Sequence, residues 1–531
     1  MNSPQLVPMP ETKLKRRSFL LCIILLILPL LSPGAEQGRA PNPELDRITK
    51  QAWDLYRNGD YDGALAGFRK AIAISPSDGL SYFNLGMVLA DKGSLPEAAE
   101  VYEKSVALLE KQNVPKLTLS NALNNLALVY YRENRLDDAD AKIDRALQVW
   151  PGNPDPWVSR GLVLEARGKL EDAIVAYRKA NAMAPRLLTA SQNLGIALQK
   201  KGQIREAIAV LQIGANLHPE DADIQGALGF ALLAANRPQE AESALRASLA
   251  TNPASPTVLY NLGEALRFQN KLAESLDAYQ KAHSLAPEDA GICLGLGSVL
   301  VQLNRPGEAL PLLQTALQSG KVDALAFYTM GNALEKQNKF SEAMLFGQSA
   351  VRARPDFPEA TALIGSLLIE TLKVEEARKI LEPALGSHPE SPDLHNAWGL
   401  VWLAEEKPKE AEAQFEQALA LRPEYEDAHI NYAVSLSLQH RGTEAVPEFE
   451  KVLQANPKNL KALANYGSAL FGLKRYSEAS DAFARAVALA PADPDLRTNL
   501  GTALEKAGRA SEAKKEFAEA QRLRSVAAHK Q

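Results

Sequence analysis

The chain has two cysteines in 531 residues, Cys22 and Cys293. Two thiols cannot build a disulfide framework or a cysteine-ligated zinc site. It has no excess of positive charge either: 59 Lys and Arg stand against 64 Asp and Glu, a net charge of -5. Proteins that hold nucleic acid need a positive field to meet the phosphates, so no nucleic-acid partner is expected. Apolar matter is not lacking. At 46% hydrophobic residues the composition is that of a folded chain, far from the polar, charge-rich composition of disorder.

Residues 1 to 17 carry Lys13, Lys15, Arg16 and Arg17, and Phe19 to Leu31 then gives thirteen apolar residues without a charge. That run is short for a membrane span, which needs about 17 residues or more. Ser32, Pro33, Gly34 and Ala35 follow. Basic region, short apolar core and small-residue exit are the pattern of a secretory signal peptide, expected at 1-34 and followed by a linker at 35-44. The localisation implied is export, to the periplasm or outside the cell. Left uncleaved, residues 18-31 would anchor the chain in a membrane with the rest outside. No other membrane contact is expected. Arg16-Arg17-Ser18-Phe19-Leu20 resembles a twin-arginine signal, although the greasy core after it fits the general secretory route better. Cys22 lies at the start of the apolar stretch, not at its end, where a lipid-anchored cysteine would stand. Removal of the signal leaves Cys293 alone and the remainder near -8. Stability must then come from packing.

About 150 residues per domain would divide the chain into three or four domains. The prolines overrule that division. Pro151, Pro185, Pro219, Pro253 and Pro287 follow at steps of 34 residues, and Pro355, Pro389, Pro423, Pro457 and Pro491 continue in phase, with Lys321 at the one missing position. Twenty-four residues before each mark stands a small residue. It is glycine in eleven units, from Gly86 to Gly501, and alanine in three: Ala52, Ala127 and Ala433. Twelve residues further on is alanine in thirteen units, with only Ser275 departing. One step, Gly86 to Ala127, is 41 residues, which marks a seven-residue insertion near 111-120. Fourteen units therefore span 45-527, leaving a tail at 528-531.

This pattern resembles the tetratricopeptide repeat (TPR): a large residue, then Leu-Gly, later Ala-x-x-x-Phe, then Pro. Trp157 with Gly161, Ala173, Tyr177, Ala180 and Pro185 is a clear copy, and Tyr82 with Leu85, Gly86, Ala98 and Tyr102 is another. The resemblance covers all but the signal segment, the linker and the tail. It implies an all-α fold, a right-handed superhelical solenoid of about fourteen helix-turn-helix units. Each unit would be two antiparallel helices, A and B, with the glycine of A and the alanine of B at their closest approach. A larger side chain there would force the helices apart. The turn between them needs positive φ. Gly59, Gly93, Gly168, Gly202 and Gly508 stand at that turn, and Asn134, Asn236, Asn270, Asn304 and Asn338 are the next-best choice. Glu206, Glu342 and Glu512 suit the positive end of helix B. The closing proline cannot continue that helix.

No segment outside the repeats is long enough to hold an active site. The repeats are similar to those of O-linked GlcNAc transferase, but its transferase domain has no counterpart here. No enzyme, no cofactor and no metal site is expected. His395 and His429 occupy the same position in successive units, four residues before the small residue, and are expected to be partly buried packing residues. Cys293 sits at the same position and is expected in the core.

Binding is expected on the concave face. Two residues before the small residue, asparagine appears seven times: Asn84, Asn125, Asn193, Asn261, Asn431, Asn465 and Asn499. Asn124 adjoins the second of them. In the family this position faces the groove, and amides there can donate to and accept from an extended peptide backbone without reading its sequence. The same amides could equally do no more than solvate the groove. Trp53, Tyr56, Phe83, Tyr131, Phe230, Tyr260, Phe268 and Tyr328 also fall on expected groove positions, some as anchors and some packed between units. The Lys-x-x-x-Asn start of the clamp that holds C-terminal carboxylates stands at the clamp positions of helix A in no unit. The reading is an exported scaffold that binds a protein or peptide partner. The alternative is an accessory subunit of an envelope machine for polysaccharide export or modification. The address is checked by mass spectrometry of the mature N-terminus: a start near Ala35 or Glu36 is expected, and an intact Met1 in the membrane fraction would mean the anchor.

Overall fold

The computed structural model describes residues 42-112, 114-319 and 324-528. The signal segment, the anchor at 18-31, the linker up to 41 and the tail beyond 528 lie outside the described residues. Within them are twenty-eight helices and no strand. They pair off into fourteen repeats, from Pro43–Arg57 with Tyr61–Ile74 to Pro494–Lys506 with Ala510–Ala528. The fold is an all-α repeat solenoid. The chain divides into two compact units, Met1–Pro287 and Glu288–Gln531. The first holds repeats 1 to 7 and the second repeats 8 to 14.

Inside each unit the order of contacts defines an inner wall. Helix A packs on its own helix B, and B packs on the next A. Successive A helices also approach one another, whereas successive B helices make no comparable contact. The A helices are therefore crowded on the inner side of each unit and the B helices fan out on the outer side.

The crossing inside a repeat depends on the absence of a side chain. A Cβ on Gly161 would lie 2.2 Å from Cε1 of Tyr177, inside any van der Waals limit. The filling group is thus the large residue sixteen positions after the glycine, more than the alanine at twelve. Phe68, Tyr102, Tyr177, Tyr279, Phe415 and Phe449 are the fully buried aromatics at this position, Phe68 and Phe449 standing behind Ala52 and Ala433 in place of glycine. Ser275, the exception to alanine, is fully buried and donates its hydroxyl to the Gly263 carbonyl at 2.8 Å.

The insertion is absorbed by helix. Helix B of repeat 2, Leu95–Lys111, and helix A of repeat 3, Lys116–Arg132, each have 17 residues, against 14 and 13 in typical copies such as Ile204–Leu217 and Leu188–Lys200. Inner Ser120 donates to the Ala146 carbonyl at 3.0 Å, and Asn153 donates to Ser120 Oγ at 3.0 Å, which fixes the lengthened helix to the repeat that follows.

All ten glycines and asparagines expected at the A-B turns have positive φ. So do four residues that sequence chemistry does not mark: Leu372, Glu406, His440 and Lys474, with φ of 60°, 58°, 60° and 62°. The repeat geometry dictates that conformation whatever residue occupies the turn. Leu372 is also 89% exposed, so it gains little contact in return for its strain. A left-handed conformation costs an L-residue about 1–2 kcal/mol. Leu372→Gly should therefore raise stability by about 1 kcal/mol, read as a higher urea midpoint. A lower midpoint would show that Leu372 makes contacts that outweigh the strain.

Candidate functional site

The residues expected on the groove are not equivalent. In the first unit Trp53 stands edge-on to Tyr56 and Phe68, both at 5.4 Å between ring centroids. The Tyr56 hydroxyl donates to the Asp91 carboxylate. Phe83 meets Tyr102 at 5.8 Å and Tyr260 meets Tyr279 at 5.7 Å. Trp53, Tyr56, Phe83 and Tyr260 are all buried, so packing occupies these four rings. Tyr131 and Phe230 are half-buried. Phe268 is exposed, with the Arg267 guanidinium 4.8 Å from its ring centroid.

The asparagines divide in the same way. Asn84, Asn125 and Asn193 are partly buried along the inner helices of the first unit. Asn124 and Asn261 are buried, and neither amide atom of Asn261 has a hydrogen-bond partner among the described residues. In the second unit Asn431 is buried and tied. It donates to Asn396 Oδ1 at 2.9 Å and accepts from Lys461 Nζ at 3.2 Å. Asn465 turns back on its own helix, donating to the Lys461 carbonyl at 2.9 Å. Asn499 is exposed. Three asparagines in consecutive repeats thus have three different environments.

Beside them lies a polar cluster that the asparagine pattern does not reveal. Tyr328 sits on helix A of repeat 9, Ala324–Glu335, and its ring tilts against Phe357 at 5.3 Å. Arg422 grips Asp393 with two hydrogen bonds, of 3.1 and 2.7 Å, and lies 4.7 Å from the Tyr425 ring centroid. Burial holds the Tyr425 and Tyr328 hydroxyls well above the usual phenol range, and Asp393 adds to it in both. Burial also pushes the Glu335 carboxyl, seven residues along from Tyr328, up to about 7. Asp427 and Glu370 add to that shift, and Lys336 and Lys461 oppose it. Glu370, Asp427 and Lys461 stand on the A helices of repeats 10, 12 and 13, and Lys336 follows the end of the repeat 9 helix. No repeat-by-repeat pattern could show this, because the members occupy different positions of the motif.

The two histidines are partly buried, as expected, but they are not packing residues. His395 Nε2 faces the Pro389 carbonyl at 2.9 Å and its Nδ1 faces Gln414 Oε1 at 2.9 Å. His429 repeats this with the Pro423 carbonyl at 2.8 Å and Glu448 Oε2 at 2.7 Å. Arg497, at the same position in repeat 14, donates to the Pro491 carbonyl at 2.9 Å and to Glu516 at 2.8 Å. The position is a polar clasp from helix A to the preceding proline turn and to helix B. Cys293, at the equivalent place in repeat 8, is fully buried, and burial pushes its thiol up. Among the described residues no group of three or more His, Cys, Asp or Glu could hold a metal ion. None of the described helices is long and apolar enough to cross a membrane.

Comparisons with known proteins agree on the repeat. Two tetratricopeptide-repeat profiles match, one at residues 49–113, 363–426 and 399–459 and the other at 436–489 and 470–523. The profile for the C-terminal domain of cilia and flagella-associated protein 70 matches residues 111–326. The chain is a tetratricopeptide-repeat protein. Its likeness to the O-linked GlcNAc transferase repeats rests on the sequence alone. Among curated proteins it is 24% identical to the TPR repeat-containing protein MJ1428 of Methanocaldococcus jannaschii, over 24% of this chain and 28% of that protein. It is 30% identical to cellulose synthase operon protein C of Pseudomonas fluorescens, over 30% of this chain and 12% of that one. It is also 30% identical to the photosystem I assembly protein Ycf3 of Rippkaea orientalis, over 19% and 64%. The matched segments span less than two thirds of each relative. Among solved structures, the APC/C hetero-tetramer Cut9-Hcn1 covers 91% of this chain and 94% of its own, with a TM-score of 0.46 at 16% identity. YrrB, described as a TPR protein with an unusual peptide-binding site, covers 35% and 96%, with a TM-score of 0.27 at 24% identity. Likenesses at that level carry nothing about function.

The clasp is open to test. His429→Leu leaves the Pro423 carbonyl and Glu448 without this partner and should cost about 0.5–1.5 kcal/mol. His429→Arg keeps both contacts, as Arg497 does, and should cost less. Equal melting temperatures for the two variants by circular dichroism would show that the ring only packs.

Proposed function

We propose that the protein is an exported scaffold whose inner wall holds an extended segment of a partner protein. A TPR solenoid is a scaffold suited to protein-protein interaction, and that much follows from the fold. The finer reading rests on one observation: the inner helices carry partly or fully exposed amides at one register position, Asn84, Asn125 and Asn193 in the first unit and Asn465 and Asn499 in the second. Amides at a fixed register can pair with the peptide groups of an extended chain and so grip it with little regard for its sequence. Asn431 and Asn261 are not part of the grip in this reading, because burial closes them to a ligand.

The test uses purified full-length protein and an unstructured peptide library. The triple variant Asn84→Ala, Asn125→Ala, Asn193→Ala should lose about tenfold or more in affinity, since a hydrogen bond contributes roughly 1 kcal/mol. Its circular dichroism should be unchanged. Unaltered affinity would leave the amides as groove solvation only. A second reading is an accessory subunit of an envelope machine that exports or modifies polysaccharide. The stretch in common with a cellulose synthase operon protein favours it. Crosslinking in cells separates the two: a membrane-protein partner supports the machine, and soluble protein clients support the peptide scaffold.

A further inference from the structure

Helix A of repeat 4, Asp155–Ala166, opens on a carboxylate with nothing to pair with. Asp155 is only 9% exposed, and its carboxylate has neither a hydrogen bond nor an ion pair among the described residues. Its surroundings are fixed. The Asp155 N–H donates to Asn153 Oδ1 at 3.2 Å, and Asn153 Nδ2 donates to Ser120 Oγ and Asn121 Oδ1 at 3.0 and 2.8 Å. Burial alone pushes the carboxyl up to about 6, and no charged group contributes. The start of a helix suits an acid, but it does not ask for a buried one: Asp427, at the same position in repeat 12, is exposed. A carboxylate buried without a partner is costly.

The solenoid shows twice what satisfies an acid at this position, six residues before the small residue of helix A. Asp393 in repeat 11 accepts two hydrogen bonds from Arg422, of 3.1 and 2.7 Å, and Asp495 in repeat 14 accepts one from Arg524 at 2.7 Å. Both arginines stand 29 residues after their acid. In repeat 4 that residue is Ala184. The backbone there is the same. Ala184 ends its helix B with φ -139° and ψ 79°, and Arg422 ends its own with φ -138° and ψ 89°. Repeat 4 thus keeps the acid and the backbone and drops the guanidinium.

Asp155 also stands beside the amides of the first unit. It precedes Ser159 by one turn, on the same face of the helix. Ser159 is the buried residue that takes the place of the amide in repeat 4, between Asn125 in repeat 3 and Asn193 in repeat 5. A segment gripped by both amides crosses repeat 4. We infer that Asp155 receives the guanidinium of an arginine on the bound segment, in the place that Arg422 and Arg524 fill from within the chain in their own repeats. A planar guanidinium can give two parallel hydrogen bonds to one carboxylate, as Arg422 does, and an ammonium cannot. This rests on the peptide-scaffold reading and adds an arginine subsite to it.

The experiment measures fluorescence anisotropy of two labelled, unstructured peptides on the full chain at a pH of about 8, where the Asp155 carboxyl is ionised. The peptides are identical except that one has arginine at alternate positions and the other has citrulline, which keeps the shape and loses the charge. The arginine peptide should bind about tenfold tighter. Asp155→Asn should remove most of that advantage and leave the citrulline peptide unaffected. It alters the net charge by a single unit, so a general attraction between basic peptide and acidic protein would survive it, and an advantage that survives overturns the inference. Ala184→Arg offers Asp155 an arginine from its own repeat. It should raise the melting temperature and reduce the advantage, and a raised melting temperature with the advantage intact would also count against the subsite. Free arginine binding as tightly as the arginine peptide would overturn the segment as the source of the guanidinium. Equal binding of the two peptides by the native protein overturns this inference alone. Failure of both peptides to bind overturns the scaffold reading along with it.

Discussion

Most repeats depend on one steric bargain: where helix A has glycine, helix B places a large side chain sixteen residues on, and in three repeats alanine stands in the place of the glycine. The contact between Gly161 and the Tyr177 ring is the plainest case, and the pairs Gly399–Phe415 and Gly195–Leu211 repeat it at 2.5 and 2.4 Å from a Cβ that is not there. Van der Waals attraction is individually small but summed over a ring it is large, and the same ring tolerates no added methyl. Repeat 9 is the informative exception. Sixteen residues after Gly331 stands Gly347, so both sides are small. The hole is filled from outside, by Leu363 of repeat 10, which would meet a Cβ on Gly331 at 2.8 Å. The constraint is therefore volume and not residue identity.

That exception has a consequence for the inner wall. Leu363 occupies the register position at which other repeats carry the groove asparagine. A residue recruited to plug a core hole cannot also face a ligand. In repeat 10 the amide is missing for a packing reason, while repeats 8, 9 and 11 carry Gly295, Thr329 and Ala397 at the same position, and the wall there is built from different chemistry, the carboxylates and tyrosines of repeats 9 to 12. Packing in one repeat thus decides what the next repeat can offer on its surface.

The fold was legible because the bargain repeats at a fixed period. Phase alone located fourteen helix pairs, the turns and the absorbed insertion. Phase also implies positive φ at Leu372, Glu406, His440 and Lys474, whereas residue chemistry does not, since a leucine in that conformation pays a strain that asparagine largely avoids. The site was less legible. Register placed Asn84 and Asn431 at equivalent positions, yet one is partly exposed and the other is buried between Asn396 and Lys461. Burial depends on neighbours one repeat away, and those neighbours differ. The aromatics misled for the same reason: Trp53 and Tyr260 stand where a groove anchor would, but each has a ring from its own helix B or its own turn to pack on.

The position four residues before the small residue of helix A shows how one site in a periodic fold can be reused. Its geometry aims a side chain between the preceding proline carbonyl and the facing helix B. An apolar residue there, such as Leu463 in repeat 13, fills space. His395, His429 and Arg497 in repeats 11, 12 and 14 convert the same space into a polar clasp with two acceptors apiece. Hydrogen bonds are directional, so a clasp specifies the relative position of its three elements more sharply than a leucine does. Two of the clasped repeats, 11 and 12, carry Asp393, Arg422 and Tyr425. A wall that must hold a guanidinium between a carboxylate and a ring needs its helices fixed to within a few tenths of an ångström, and directional hydrogen bonds supply that where side-chain packing alone would leave play.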